Sequence, residues 1–372
     1  MSKPKYVVNI DDVNGLSVQE KKDLKKVVEK YAFRANEYYL GLINWNDPKD
    51  PIRRLVVPTM EELNEWGELD ASMEHKYSPV KGLEHKYRDT AVLLVSDVCG
   101  AFCRYCFRKR IFMRENQEVT RDVTEGINYI EKHPEITNVL LTGGDPLVMA
   151  TPKLEAIIRR IREINHVKII RIGTKMAAFN PYRIVEDDSL TDMIKKYSLP
   201  DKRIYVINHF NHPNEITEVA EKAIQKLHNA GAIMCNQTPM IAGINDNPEA
   251  LAGLFKKLSF IGVPPYYVFQ CRPTAGNKPY AVPIEKGHQI FMEAFEKCSG
   301  LAKRARFAMS HATGKIEILA TDKKNIYMRY HRAADPRDYK KFMVFKRNPE
   351  AYWLDDYAEY ASMKKELQTA GT

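Results

Sequence analysis

The chain has 372 residues, of which 44% are hydrophobic and 28% are charged, and this composition is ordinary for a soluble globular protein. No apolar run approaches the roughly 20 residues that a membrane-spanning helix needs, and no charged start precedes an apolar secretory core. We therefore expect a cytoplasmic protein that does not enter a membrane. The net charge of +9 favours an anionic substrate or cofactor, and it also permits nucleic acid as a partner.

The first part of the chain, residues 1–89, is predicted to be a helical extension. Apolar residues recur at helical spacing among Lys and Glu over residues 17–43. After a break at Pro48 and Pro51, Thr59 precedes Glu61 and Glu62 as the cap of a second short helix. No chemistry is evident in this segment, and we interpret it as a packing layer.

From residue 91 onward, short apolar runs alternate with amphipathic segments. Six runs are predicted strands: residues 91–96, 138–142, 167–173, 203–207, 232–237 and 266–270. Six strand–helix units in a row predict parallel strands joined by right-handed crossovers. Because a closed TIM barrel needs eight units, we predict an α/β fold with a partial (β/α)6 TIM-type barrel over residues 90–300.

After about residue 300 the pattern changes to short strands separated by turns. The apolar runs cover residues 307–309, 316–320, 326–330 and 342–345. We predict a strand-containing C-terminal extension over residues 301–372, which includes Lys315. Its polar tail from Met363 is expected to fray.

Three of the six cysteines stand within eight positions, in Cys99-Gly-Ala-Phe-Cys103-Arg-Tyr-Cys106. A disulfide cannot use three thiols, whereas an iron–sulfur cube binds one thiolate at each iron. Three ligands leave one iron of a 4Fe–4S cluster open, as a catalytic metal site requires. The alternatives are three small buried residues or a zinc knuckle that lacks a ligand. Free thiols also fit a reducing cytosol.

Polar or glycine-rich residues follow all six predicted strands, where the active site of a (β/α) barrel forms. They are Cys99, Gly143-Gly144-Asp145, Gly173-Thr174-Lys175, His209, Gln237 and Arg272. The Gly-Gly pair leaves backbone N–H groups bare, so it predicts a nest for a carboxylate, or carbonyls for an amino group. A simple turn is the alternative there. His209 alone also fits a helix cap, and Gln237 a satisfied core amide.

The cysteine spacing, with an aromatic residue before the last cysteine, resembles the radical S-adenosylmethionine (SAM) superfamily. In that superfamily SAM chelates the open iron through its amino and carboxylate groups, and reduction releases a 5′-deoxyadenosyl radical. From about residue 45 to 320 the chain resembles the lysine 2,3-aminomutase family more closely. The matching blocks include Ser78-Pro-Val-Lys-Gly-Leu-Glu-His-Lys-Tyr87, Leu141-Thr-Gly-Gly-Asp145, His209-Phe-Asn-His-Pro-Asn-Glu-Ile-Thr217 and Tyr266-Tyr-Val-Phe-Gln-Cys271.

This resemblance implies a fold, cofactors and residue roles. The family uses the cluster, SAM and pyridoxal 5′-phosphate (PLP) to move an amino group from C2 to C3. The three motif cysteines would bind the cluster, and Arg108 would hold the α-carboxylate of the substrate as a bidentate fork. An electron donor such as flavodoxin or ferredoxin and a homo-oligomeric state are expected as well. The residues that would face SAM are Gly143, Gly144, Asp145, His209 and Gln237.

The chain departs from the family pattern at the cofactor and substrate sites. Lys315 stands where the Schiff-base lysine does, but it follows Ala312-Thr313-Gly314 instead of a run of glycines; the alternative is a surface lysine in a turn. Thr90 replaces the arginine that holds the PLP phosphate, so a PLP site keeps its amine and loses its anchor. Arg272 and Ala308 replace the aspartates that bind the ε-ammonium of lysine, which argues against lysine as substrate. The zinc-ligand cysteines are absent, and no zinc is expected.

Three hypotheses follow. The first is a pyridoxal-dependent radical SAM 2,3-aminomutase for an acidic amino acid such as glutamate. A 5′-deoxyadenosyl radical would abstract hydrogen, the amino group would migrate, and Arg108 and Arg272 would hold the two carboxylates. The second is a pyridoxal-free radical mutase or lyase for another anionic substrate, such as a coenzyme A thioester. The third, an RNA-modifying protein, is disfavoured because no basic stripe is interleaved with aromatic residues.

Overall fold

A sheet of eleven strands runs through the part of the chain that the computed structural model describes, residues 4–113, 118–120 and 122–357. Two short strands lie outside this sheet, β1 (Tyr6–Val7) and β2 (Ala35–Asn36). The strands of the large sheet are β3 (Leu83–Tyr87), β4 (Thr90–Ser96), β5 (Asn138–Gly143), β6 (Ile169–Thr174), β7 (Ile204–Asn208), β8 (Ile233–Met240), β9 (Pro265–Gln270), β10 (Arg306–His311), β11 (Gly314–Thr321), β12 (Asn325–Ala333) and β13 (Phe342–Lys346). β1 and β2 form a separate pair, and the other eleven make the large sheet.

Helices cover the outside of this sheet. The α-helices are α1 (Val18–Lys30), α2 (Glu37–Leu40), α3 (Pro51–Val56), α4 (Thr124–Lys132), α5 (Thr151–Glu163), α6 (Met176–Phe179), α7 (Tyr182–Val185), α8 (Asp188–Tyr197), α9 (Glu218–Asn229), α10 (Pro248–Phe260) and α11 (Ile284–Glu296). Short 3₁₀ helices occupy Ile10–Asp12, Met60–Leu63, Glu74–Tyr77, Lys109–Phe112, Pro146–Val148, Pro213–Glu215, Lys278–Tyr280 and Pro336–Asp338. Within the described ranges, no helix is both long and apolar enough to span a bilayer.

The centre of the large sheet is the predicted partial barrel. Strands β4 to β9 lie side by side in chain order and pair in parallel, with Leu93 of β4 opposite Leu141 of β5. One apolar core joins these strands to the crossover helices, and Ile158 and Leu227 are fully buried in it. The predicted α/β fold is confirmed, because each amphipathic segment covers the sheet between two parallel strands.

One strand more than predicted is parallel. β10 pairs in parallel with β9, with Phe307 opposite Val268, although the sequence pattern places residues 307–309 in the C-terminal extension. The crossover is α11, which is absent from the predicted elements and buries Ile284 and Phe291. β11, β12 and β13 then continue the sheet antiparallel. The three-part domain division stays a proposal, and its boundary near residue 300 falls within one continuous sheet.

The N-terminal extension is less helical than its spacing predicts. The single helix expected over residues 17–43 is wrong, because α1 ends at Lys30 and the chain forms β2 before the short helix α2. The Asn36 side chain accepts from Tyr39 N to cap α2, and it donates to Gly100 O at 3.0 Å. A short polar side chain such as that of Asn36 can hydrogen-bond to nearby backbone groups, which gives the backbone an alternative to the hydrogen bonds of a continuous helix. These contacts outweigh the helical periodicity of the sequence.

Two further parts of the extension bear on the predictions. The second short helix is confirmed as the 3₁₀ turn Met60–Leu63, with Thr59 at its N-cap position donating from its backbone N–H to Glu62 Oε1 at 3.0 Å. Residues Leu83–Tyr87 belong to the predicted helical extension but form strand β3 instead, which pairs antiparallel with β4 at the edge of the sheet. The polar tail from Met363 lies outside the described residues.

The extension is packed against the cysteine loop. Ala101 and Tyr105 of that loop share an apolar core with Leu24, Tyr39 and Leu55. A buried ion pair joins the same two parts, because Arg104 donates from Nη2 to Glu62 Oε2 at 2.7 Å and from Nε to Glu62 Oε1 at 3.0 Å.

Removing the charge of Glu62 should destabilise the protein strongly. The side chains of Arg104 and Glu62 are 2% and 0% exposed, so Glu62→Gln leaves a buried guanidinium without its counterion. Breaking such a pair costs about 3–5 kcal/mol of unfolding free energy, measured as a lower urea midpoint. Arg337→Gln, which breaks the exposed pair with Asp335, should leave the midpoint unchanged. Equal midpoints for Glu62→Gln and wild type would contradict this expectation.

Candidate active site at the carboxyl ends of the parallel strands

A cavity of about 290 Å³ lies at the carboxyl ends of the parallel strands. Every residue that the sequence marks as a site residue lines it. They are Cys99, Cys103, Cys106, Arg108, Gly143, Gly144, Asp145, His209, Gln237, Arg272 and Lys315. Residues from separate strands therefore meet in one place, as the parallel topology requires.

The cysteine loop is held by the N-terminal extension through its backbone. Arg34 Nε donates to Cys99 O at 2.8 Å, and Phe102 N donates to Arg34 O at 2.8 Å. Arg104 N donates to Leu55 O at 2.9 Å. These bonds satisfy polar groups that a buried loop would otherwise leave unpaired, so the extension shapes the loop that carries the thiols.

The three thiols of the loop are free and close to one another. Burial raises the pKa of Cys103 to about 12 and the pKa of Cys99 well above its usual value, and the neighbouring thiols raise both further. In the described part of the chain, no three His, Cys, Asp or Glu side chains converge on the position of a single metal ion. Thiols that are adjacent without converging suit a cluster with one iron for each cysteine. Binding it must release the thiol protons.

The Gly143-Gly144-Asp145 segment is used differently from the predicted nest. Gly144 N donates to Ser96 O at 2.5 Å, and Asp145 N donates to Val98 O at 2.8 Å. The expectation of bare N–H groups is therefore wrong for these two amides, because the start of the cysteine loop occupies them. A Cβ on Gly144 would lie 2.4 Å from Val98 O, so the close backbone approach requires glycine.

The Asp145 carboxylate joins the ends of two strands. It accepts from Thr174 Oγ1 at 2.7 Å and from Lys175 N at 2.7 Å, and it also accepts from Leu147 N at 3.0 Å. Burial raises the pKa of Asp145 to about 6, although these hydrogen bonds oppose the shift. Its side chain lines the cavity with these partners already in place, and its contact with SAM stays a prediction.

His209 and Gln237 face the same cavity with few partners. His209 Nε2 lies 3.3 Å from Tyr105 Oη. Burial, followed by the nearby Lys175 ammonium, holds the pKa of His209 well below its usual value, so the imidazole is neutral. Among the described residues, Gln237 has no side-chain hydrogen-bond partner. Its amide is therefore available to a ligand, which favours the predicted role over a satisfied core amide.

Lys175 is a site residue that sequence reasoning placed at a strand end without a role. Its ammonium donates to Glu215 Oε1 at 2.5 Å and to Asn211 Oδ1 at 2.6 Å, and it lowers the pKa of the Cys103 thiol against the effect of burial. A fixed cation beside the thiols favours an anionic cluster. Its position after β6 is the sequence signal for this residue.

Three arginines surround one carboxylate, that of Glu74. Arg108 Nε lies 3.1 Å, Arg110 Nη2 2.7 Å and Arg272 Nη1 3.2 Å from its oxygens. Glu84 Oε1 accepts from Arg108 Nη2 at 2.9 Å. The interpretation of residues 1–89 as a packing layer is therefore wrong in this respect, because two of its acids line the cavity. No local pattern singles out Glu74.

The two acids respond to this charge in opposite directions. Burial alone would raise the pKa of Glu74, but Arg108, Arg272 and Arg110 outweigh it and hold that pKa well below its usual range. Burial raises the pKa of Glu84 to about 7, although Arg108 opposes the shift. Arg108 also pairs with Glu84 and Arg110 with Glu118, whereas Glu74 is the one acid of the described residues that pairs with Arg272.

The free donors of the arginines show what this cluster can bind. Arg108 uses Nε and Nη2 for Glu74 and Glu84, so the open fork that was expected of it is already engaged. Arg272 lies over the Phe107 ring, with Cζ 3.6 Å from the ring centroid. In the described part of the chain, only its Nη1 makes a hydrogen bond. The remaining N–H groups of Arg272 can donate hydrogen bonds to a bound anion.

Lys315 stands on β11 among aromatic rings. Its Nζ lies 5.4 Å from the ring centroids of both Tyr87 and Tyr267, and it has no hydrogen-bond partner among the described residues. Burial lowers the pKa of Lys315 well below its usual value, and Arg171 and Arg332 lower it further. A neutral amine in such surroundings is a nucleophile, which argues against the alternative of a surface lysine.

Comparison with known proteins agrees with this site. The model of the radical SAM superfamily matches residues 93–255. An Aquifex aeolicus protein named "Putative L-lysine 2,3-aminomutase" is 56% identical over 364 residues, which are 98% of this chain and 97% of that protein. The chain belongs to the lysine 2,3-aminomutase family.

Relatives in the aminomutase family differ in the substrate that they are named for. The L-lysine 2,3-aminomutase of Clostridium subterminale is 38% identical over 74% of this chain and 65% of its own length. The glutamate 2,3-aminomutase of Clostridioides difficile is 35% identical over 77% of this chain and 67% of its own length. Radical SAM aminomutases are isomerases of small molecules, and this membership implies a 4Fe–4S cluster and SAM as cofactors.

Proposed function

We propose that this protein is a PLP-dependent radical SAM 2,3-aminomutase for an amino acid with an anionic side chain, such as glutamate. The observation that carries the proposal is the position of Arg272, whose guanidinium lies in the cavity beside Arg108 and binds a carboxylate there. Because the relatives are named for both lysine and glutamate, the choice of substrate rests on the charge of this cavity.

The cavity holds more basic than acidic side chains, even though the Lys315 amine is neutral and Lys175 is paired with Glu215. Seven Lys and Arg side chains line it against three Asp and Glu side chains. The basic residues are Lys86, Arg108, Arg171, Lys175, Arg272, Lys315 and Arg332, and the acidic residues are Glu74, Glu84 and Asp145. A cationic side chain on the substrate would be repelled by this excess, whereas a second carboxylate would be attracted.

Each group of side chains has a separate task in this proposal. When bound, the cluster with SAM supplies the 5′-deoxyadenosyl radical, and PLP supplies a carbonyl through which the amino group migrates. Cys99, Cys103 and Cys106 hold the metal, and Gln237 offers an unpaired amide to SAM. Lys315 supplies a neutral amine to PLP, and the arginines orient the substrate carboxylates.

Glu74 occupies the place of a substrate carboxylate among the arginines. Its two oxygens receive donors from Arg108, Arg110 and Arg272, so this cluster is built for carboxylate geometry. A substrate carboxylate can take the free donors of Arg272 or replace Glu74 there. Arg108 can reach the α-carboxylate through Nη1, which makes no hydrogen bond within the described residues.

A second candidate function remains a pyridoxal-free radical mutase or lyase. It is favoured by Thr90, which stands where the family has an arginine for the PLP phosphate. An external electron donor of the flavodoxin or ferredoxin type, a homo-oligomeric state and a cytoplasmic location stay predictions.

Reversing the charge at position 272 tests the proposed substrate class. Arg272→Asp should lower kcat/KM for the anionic substrate by about 30- to 5,000-fold, since a buried charge pair worth about 2–5 kcal/mol becomes a repulsion. The measurement is transfer of deuterium from labelled glutamate and labelled lysine into 5′-deoxyadenosine. Arg272→Lys, which keeps the charge and loses the fork, should show a smaller loss.

Iron content and SAM cleavage without substrate should be unchanged in both variants, because Arg272 does not contact the motif cysteines in the structure. Deuterium transfer from lysine in the wild-type protein, undiminished in Arg272→Asp, would contradict the proposal.

A further inference from the structure

An arginine from the C-terminal part of the sheet fills the space beside Thr90. Arg332 Nη2 lies 3.2 Å from Thr90 Oγ1 and also contacts the Asp89 carboxylate. Thr90 Oγ1 in turn donates to Asp89 Oδ1 at 2.8 Å. The guanidinium that the sequence lacks at position 90 is therefore replaced in space by one from β12.

Arg332 is placed next to the candidate PLP lysine by strand register. Lys315 of β11 and Arg332 of β12 are direct cross-strand partners in the antiparallel pair, so their side chains share one face of the sheet. Both contact the same ring, because Arg332 Cζ lies 4.2 Å and Lys315 Nζ 5.4 Å from the Tyr87 ring centroid. The amine and the guanidinium thus form one wall of the cavity.

A second guanidinium approaches the same place from β6. Arg171 Nε donates to Asn138 Oδ1 at 2.8 Å, and Arg171 has no carboxylate partner in the described part of the chain. Arg171 and Arg332 line the same cavity. Burial lowers the pKa of Arg171, and the charge of Arg332 lowers it further. Asp89, whose side chain is 61% exposed, is the one acid that pairs with Arg332 among the residues that the structure describes.

Two guanidinium groups without a buried counterion, beside a neutral amine, indicate an anion site. Arg171 and Arg332 line the cavity together with Lys315, and the repulsion between the two guanidinium groups would be relieved by a doubly charged anion. A planar guanidinium matches the oxygens of a phosphate with two parallel hydrogen bonds. The ligand must also carry a group that reacts with the Lys315 amine.

We propose that Arg332, assisted by Arg171, binds the phosphate of PLP in place of the arginine that is missing at position 90. This inference rests on the proposed function, because it assumes that PLP binds at Lys315. It revises the loss of the phosphate anchor that Thr90 alone predicts, because Arg332 on β12 supplies the positive charge that is absent at position 90 on β4.

The test separates the phosphate from the rest of the cofactor. Wild type, Arg332→Gln and the control Arg329→Gln are titrated with PLP and with pyridoxal, which has the same aldehyde and no phosphate. Arg329 lies on the same strand and pairs with Glu317 outside the cavity. After borohydride treatment, mass mapping gives the fraction of Lys315 that carries the cofactor at each concentration.

Arg332→Gln should weaken PLP about 10- to 100-fold, as expected for a lost charge-assisted phosphate contact, and should leave pyridoxal unchanged. Arg329→Gln should change neither ligand. In the Arg332→Gln background, the added change Thr90→Arg should restore PLP affinity, which a merely misfolded variant would not show.

Two results would overturn the inference, and they are distinguishable. If wild type traps PLP on Lys315 and Arg332→Gln weakens PLP and pyridoxal equally or neither, the phosphate contact is wrong while the proposed function stands. If wild type traps no PLP on Lys315, the PLP-dependent function fails together with this inference.

Discussion

Replacing Cys99, Cys103 or Cys106 with Ala is expected to remove the cluster and abolish cleavage of SAM. Each cysteine supplies the thiolate for one iron, and the loop contains no spare ligand among the described residues that could take its place. The three thiols line one cavity, so replacing any one of them leaves one more iron of the cluster without a protein ligand. Iron and sulfide content and the yield of 5′-deoxyadenosine under reducing conditions measure the effect.

The other cysteines provide matched controls. Cys235→Ala and Cys298→Ala should keep iron and SAM cleavage, because Cys235 lies on β8 and Cys298 is buried with its Sγ 3.8 Å from Ala252 O. Cys271→Ala should likewise keep iron and SAM cleavage. It is the more stringent control, because Cys271 also lines the cavity and is the cysteine there that could act as a fourth ligand. A full cluster in Cys103→Ala would contradict the assignment.

The second large effect is expected at Lys315. Borohydride treatment of protein saturated with PLP should fix the cofactor on Lys315 and on no other lysine, and Lys315→Met should lose both this trapping and all aminomutase activity. The reason is electrostatic: burial and four neighbouring cations, Arg171, Arg332, Arg272 and Lys86, lower the pKa of Lys315. Its amine is therefore neutral at a pH where an ordinary lysine is charged.

The pH dependence and a neighbouring lysine check this explanation. Trapping should slow as the pH falls through the lowered pKa of Lys315, because the amine then takes up a proton and ceases to be a nucleophile. Lys86→Met should keep the trapping on Lys315, since Lys86 Nζ is bound to His311 O at 2.5 Å. Unmodified Lys315 in protein saturated with PLP would favour the pyridoxal-free mutase instead.

The local pattern of the sequence determined the fold class and the place of the site. Alternation of apolar runs and amphipathic segments predicts β4 to β9 with small errors at the ends, because each parallel strand is buried on both faces and each helix on one. The cysteine motif and the strand-end residues, such as His209 and Gln237, then follow from topology. All of them line the same cavity.

Only the tertiary structure decided which side chains share that cavity. Glu74 reaches Arg272, 198 positions away, and Arg332 reaches Thr90, 242 positions away. Such pairs follow no hydrophobic period and no fixed spacing in the sequence, because they depend on how the N-terminal extension and β12 pack against the ends of the barrel strands. The same applies to the segment after α1, where Asn36 donates to Gly100 O, 64 positions further along. Helical spacing encodes only contacts within a few turns, so the charge balance of the site had to come from the folded chain.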